Sequence, residues 1–188
     1  MAPPRADSLP VRGAPGFLQR VGSALQLVPR PLAVLPVLAW AALIWFLSSR
    51  PPADPGDDFT LPVLLANCAH AVEFGFFALL IALTLPRADG WPRLDRRGVL
   101  TALVVTVLYA AADELHQSTT PGRNASVPDV LTDLCGAACT LWIAAYVVRA
   151  GATEAGLAKR FGLGLLACFT CGVLATVLPG AFPDVVWL

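Results

Sequence analysis

Charged side chains are scarce in this chain: Asp, Glu, Lys and Arg supply 14% of its 188 residues, where a soluble domain carries roughly a quarter. Apolar residues reach 56%, which excludes an ordinary soluble globule. The two charge signs cancel at 13 each, so no basic excess points to nucleic acid. Low-complexity repeats are absent. No Gly-rich phosphate loop occurs, and no serine stands in a recognised nucleophile context, Ser118 beside His116 included, so the simplest motif-based enzyme classes find no support. The cysteines number five, an odd and irregularly spaced set that does not suit a disulfide scaffold. Cys168 and Cys171 form a C-x-x-C inside LLACFTCGVLATV, without the polar or electropositive setting that redox or zinc thiolates use. The cysteines are therefore expected to be small packed side chains.

Long apolar runs, by contrast, recur five times. They cover residues 31–49, about 62–85, 98 to about 115, about 128–148, and 161–178. About 20 helical residues cross a hydrocarbon core roughly 30 Å thick, so each run predicts a span, with the third the shortest. Pro31, Pro62 and Pro128 stand near starts, where a missing backbone N–H is tolerated. The expected fold is an all-α, polytopic membrane helix bundle with five transmembrane helices. Residues 1–30 form a tail in which FLQRVGSALQLV suggests a short interfacial helix, and residues 31–188 form the membrane domain.

The distribution of charge predicts orientation. Eleven of the 13 basic residues precede span one or lie in the connections between spans two and three and between spans four and five. Only Arg50 and Arg123 fall on the other side. The positive-inside rule then predicts a cytoplasmic N-terminus and an extracytoplasmic C-terminus, as an odd number of spans requires.

Ionisable residues within the runs gather at one level. Span two carries Asn67, His70 and Glu73, each three residues apart and expected to share a face. Span three ends with Asp113, Glu114, His116 and Gln117, and span four begins with Asp129 and Asp133. Both histidines of the chain and five of its 13 acids belong to this set, whereas the opposite ends of the same spans carry no ionisable side chain. Such residues are costly in a bilayer and mark a site or a structural polar network. Asp113 is expected to face inward with His116 and Gln117, while Glu114, about 100° away, faces a second neighbour or the surface. Ser126 and Asp129 have capping-box spacing, so Asp129 is either a cap or a site residue; Asp133 lies a turn deeper. Pro121-Gly122 suits a type II turn from which Arg123 projects, as a surface ion pair or as a grip on phosphate or carboxylate. Gly136, among small neighbours, predicts close helix packing.

Three chemistries fit these residues. Carboxylates of Glu73, Asp113 and Asp133 would hold a divalent metal ion that bridges to a phosphate. Alternatively His70, Glu73, Asp113 and His116 would act as acid and base catalysts, with Arg123 stabilising charge. As a non-catalytic site, Asn67, Glu114, Gln117, Arg123, Asp129 and Asp133 would bind an envelope ligand. A structural scaffold remains a further reading. Transport is disfavoured, because a through-going path needs polar stations at both depths.

The segment DELHQSTTPGRNASVPDVLTDLCGA, residues 113–137, resembles the VanZ-like membrane protein family in its acidic-Glu pair near Gln, its P-G-R, and its later Asp and Gly. The segment NCAHAVEFGFFALL resembles the family's H-x-x-E-aromatic element through His70, Glu73 and Phe74, and FLSSRPP is similar to its usual exit from span one. The resemblance covers roughly residues 35–148. This chain has Asp133 where many relatives have Asn, and Asn67 where they often have Lys. The resemblance implies a multi-pass protein of the bacterial plasma membrane, associated with low-level resistance to glycopeptides such as teicoplanin. Its implied partners are membrane lipid and a lipid-linked envelope precursor or glycopeptide. It does not decide between an enzyme and a binding protein.

Overall fold

The computed structural model describes residues 29–51, 61–88, 91–123, 125–149 and 151–181. The interfacial helix expected within residues 1–30 lies outside the described residues. A 3-10 turn, Arg30–Ala33, leads into α1, Val34–Ser48. Then follow α2, Leu61–Thr84, and two short antiparallel strands, β1 Arg87–Ala88 and β2 Trp91–Pro92. Helices α3, Arg96–Gln117, α4, Val127–Val147, and α5, Glu154–Ala181, complete the bundle. With the turn before α1 included, all five helices are long and apolar enough to cross a membrane.

Helix ends follow local chemistry rather than hydropathy. The Asp95 side chain accepts the Gly98 N–H at 2.9 Å and starts α3. Ser126 does the same for α4 through Asp129 N, at 3.3 Å. Thr153 Oγ1 accepts Gly156 N at 3.0 Å just before α5. Such caps satisfy N–H groups that have no partner inside the helix. Two spans outrun their apolar runs. Helix α3 extends through the whole DELHQ segment and is a full-length span, and α5 starts at Glu154 and passes through Pro179. Its first turns are polar, and Arg160 folds back over the Tyr146 ring at 3.6 Å. Apolar length tracks bilayer thickness, whereas a capped helix continues into the headgroup zone.

Helix α2 is the hub and touches every other span. Apolar burial cannot drive helices together in lipid, so close packing of small residues does. At the α2–α4 crossing a Cβ on Gly136 would fall onto the backbone carbonyl of Ala71, and one on Gly75 would lie 2.6 Å from Thr140 Oγ1. The packing role expected of Gly136 is therefore met by backbone-to-backbone contact. Leu38, Leu65, Val72, Leu108, Leu131 and Leu166 point outward, as lipid-facing positions do. Inside, Ile44, Phe74, Phe77, Ile81, Ala102 and Leu141 form an apolar core. Tyr109 braces it by donating to the Ala41 carbonyl at 2.6 Å, and Trp40 Nε1 donates to the Glu73 carbonyl at 3.1 Å. Phe74, wholly buried and one turn from His70, belongs to the floor on which the polar end of the bundle rests.

Candidate functional site

The polar end is built from the end of α1, the first half of α2, the end of α3 and the start of α4. Its residues divide between two neighbouring groups. In the first, the Asp113 Oδ2 atom accepts from Ser48 Oγ at 2.7 Å and from Gln117 Nε2 at 2.9 Å. Gln117 Oε1 in turn accepts from Arg123 Nη1 at 2.8 Å, while Arg123 Nε donates to the Arg50 carbonyl at 2.9 Å. The turn that presents Arg123 closes with its N–H on the Thr120 carbonyl at 3.1 Å. Gly122 has φ +79°, as the third position of a type II turn requires. Arg123 thus ties the α3–α4 connection to the exit of α1.

Lysine at that position has one ammonium where the guanidinium has a fixed fork. Arg123→Lys is expected to lose at least one of the two bonds and destabilise the protein by about 1–2 kcal/mol. Thermal melting of the purified protein in detergent measures this; an unchanged melting point would show that the Arg123 bonds hold nothing together.

The second group lies between α2, α3 and α4. His70 Nδ1 and Asp133 Oδ1 stand 3.3 Å apart, with the Asp133 side chain 1% exposed. This is an ion-pair contact in which each atom is the other's partner. Glu114 Oε2 accepts the Ser126 N–H at 2.7 Å. It thereby takes the part that the acid of a capping box plays, so the Asp129 carboxylate is not spent on closing the box. Asp129 Oδ1 is buried without a partner, as is Asp113 Oδ1 of the first group. Buried polar atoms are nearly always paired, so two such carboxylate oxygens beside a buried ion pair define an incompletely satisfied polar centre.

Several expectations change once side chains are placed. Asn67 donates to Thr176 Oγ1 of α5 at 3.0 Å and ties α2 to α5 instead of facing the acids. Three-residue steps turn a helix face by about 60° each, enough around a central helix to reach a different neighbour. His116 stacks on Trp45 at 3.8 Å and contacts Ser49 Oγ at 2.9 Å, at the exit of α1 and outside the hydrogen bonds of Asp113 and Gln117. Asp113 and Glu114 are both buried, each toward a different neighbour. His70 pairs with Asp133. Glu73 is half-buried, within electrostatic reach of His70, Asp113 and Arg123, and no donor among the described residues hydrogen-bonds its carboxylate.

The metal-ligand set changes as well. His70, Glu114 and Asp133 each offer a donor atom within 4.8 Å of the other two, a grouping that Glu73 and Asp113 do not join. Asp113 is drawn away by Ser48 and Gln117. The convergent set of one imidazole and two carboxylates suits a borderline or hard divalent ion. Ser48, read in the sequence only as part of a helix exit, enters the site because α1 ends beside Asp113. The serine pair before Arg50 was the available signal.

Five apolar spans around a buried acid–imidazole centre define a polytopic membrane protein whose polar machinery sits at one end of the bundle. The family model described as VanZ/LLP1 matches residues 18–149, and the chain belongs to that family. No curated protein and no solved structure matches the chain significantly.

Proposed function

We propose that this chain resides in the bacterial plasma membrane with its N-terminus in the cytoplasm. On the extracytoplasmic side it recognises an envelope lipid, glycan or glycopeptide-related ligand, and so modulates glycopeptide susceptibility. The basic-residue bias supports the orientation, and family membership supports the biological setting. The observation that carries the site is the convergence of His70, Glu114 and Asp133 beside Asp129, whose buried Oδ1 has no hydrogen-bond partner.

Charge narrows the ligand class. Three carboxylates face one imidazole, and Arg123 is committed to Gln117 and the Arg50 carbonyl. An anionic headgroup would be repelled by such a centre unless a cation intervened. A divalent ion held by His70, Glu114 and Asp133 would bridge the carboxylates to a phosphate, which favours a phosphorylated lipid or lipid-linked glycan. The chain's own groups then position the ion, exclude lipid tails through the Phe74 floor and brace the mouth through Arg123. The same ion would also serve a hydrolytic role by activating water, and this is the second reading that the donor set favours.

The test is lipid analysis of protein purified in mild detergent, with and without a chelator, for wild type, Glu114→Gln and Asp133→Asn. A phosphorylated envelope lipid should co-purify with the wild type and fall by roughly tenfold or more on chelation or in either variant. Identical lipid profiles from folded wild type and variants would remove the binding reading. Turnover of the captured lipid would move the protein to the hydrolytic one.

A further inference from the structure

A second convergence lies deeper in the bundle and uses different chemistry. Cys135 and Cys139 are four apart on α4; Cys168 and Cys171 are three apart on α5. Both spacings place two thiols on one stripe of a helix, and α4 and α5 pack against each other. The Sγ atoms of Cys135, Cys139 and Cys168 all lie within 4.8 Å of one another, and Cys171 neighbours Cys135. All four are free thiols. Cys68 differs: it packs against Gly172, where an added Cβ would lie 2.6 Å from its sulfur. The expectation of simple packing suits Cys68 but does not explain why the other four meet.

We infer that the Cys135–Cys139–Cys168 cluster, with Cys171 at its edge, is a membrane-embedded binding site for a soft d10 metal cation. Thiolate sulfur selects Cu(I) and Zn(II) over the hard ions suited to carboxylates. Three sulfurs within 4.8 Å need to close by only about an ångström to surround an ion with metal–sulfur bonds of about 2.3 Å. No basic residue occupies the sequence between Leu134 and Val148 or between Phe161 and Leu178, so excess negative charge at this depth has no counter-charge on these two helices. A low-coordinate complex with few thiolates is therefore favoured. Each thiol that ligates does so as thiolate and releases its proton, so proton release counts the ligating sulfurs. Cu(I) suits a centre of two or three sulfurs. Zn(II) prefers four ligands, which would recruit Cys171.

The experiment uses the full chain, purified in detergent, reduced and freed of metal. Cu(I) and Zn(II) are each titrated in competition with a chromophoric chelator, and proton release is followed in weak buffer. One sulfur-bound ion per chain is expected, counted directly with Cu(I) and, for Zn(II), read as the sulfur-only component by X-ray absorption in addition to the ion held by the acid–imidazole centre, with one proton released per ligating sulfur. Cys139→Ser and Cys168→Ser should weaken binding by more than the roughly 10–100-fold that loss of an outer-shell partner costs. Cys68→Ser should bind Cu(I) as wild type does. Circular dichroism and size exclusion confirm that each variant is folded. Absence of any sulfur-bound ion, or undiminished Cu(I) binding in folded Cys139→Ser and Cys168→Ser, would overturn the site and leave the reading of the acid–imidazole centre untouched.

Discussion

Gly136→Ala is expected to destabilise the bundle by about 3 kcal/mol or more, although it adds a single methyl group. Overpacking typically costs 1–3 kcal/mol when side chains can shift. Here the obstacle is the backbone carbonyl of Ala71, so relief requires α2 and α4 to move apart. That movement would also separate His70 from Asp133, since the two helices carry one partner each. Gly162→Ala is the matched control: nothing lies within 4 Å of the added Cβ there, and an exposed change of this kind should stay within about 0.5 kcal/mol. Unfolding in mixed micelles with increasing SDS, followed by tryptophan fluorescence, compares the two. Equal stability of both variants with wild type would mean that the α2–α4 contact is not a determinant of the fold.

The number of spans was legible because bilayer thickness imposes a length on apolar runs that no soluble fold imposes. The level of the polar residues was legible for a related reason: helices alternate in direction, so the ends of odd spans meet the starts of even ones. Azimuth was harder to read. His70 and Asn67 look like one stripe in sequence, but a central helix has neighbours on all sides, and about 60° of drift sends Asn67 to α5 and His70 to α4. The adjacent acids of DELHQ show the same effect, with Asp113 taken by Ser48 and Glu114 by the backbone of Ser126. The convergence of four cysteines was invisible along the chain because two helices contribute two each, and the apolar sequence around them suggested packing. Spacing within one helix reports a stripe; only the packing of helices reports what that stripe meets.

The centre formed by Glu114, Asp129, Asp133 and His70 leads to an expectation whose sign separates function from structure. Asp129 is repelled by Glu114 and Asp133 and attracted by His70 and Arg123, so the pairwise interactions oppose one another. The largest influence on it is desolvation of its carboxylate, whose Oδ1 is buried. Against this, an acid in the first turn of a helix gains only about 0.3–1 kcal/mol from the helix dipole, and the cap itself is supplied by Ser126. Burial of the charge is the larger effect, so Asp129→Asn is expected to stabilise the metal-free protein by about 1 kcal/mol, raising Tm by about 2–4 °C for a chain of this size. The gain in Tm on adding Mn(II) or Zn(II) should shrink in the same variant, because one of the carboxylates crowding the cation has gone. A residue retained for structure would behave in the opposite way: Tm would fall on substitution, with no change in the response to metal. Melting curves of wild type and Asp129→Asn, each with chelator and with added ion, distinguish the two. A lower Tm in chelator would show that the acids of this centre stabilise the fold, and the case for a cation-holding site would then lose its energetic basis.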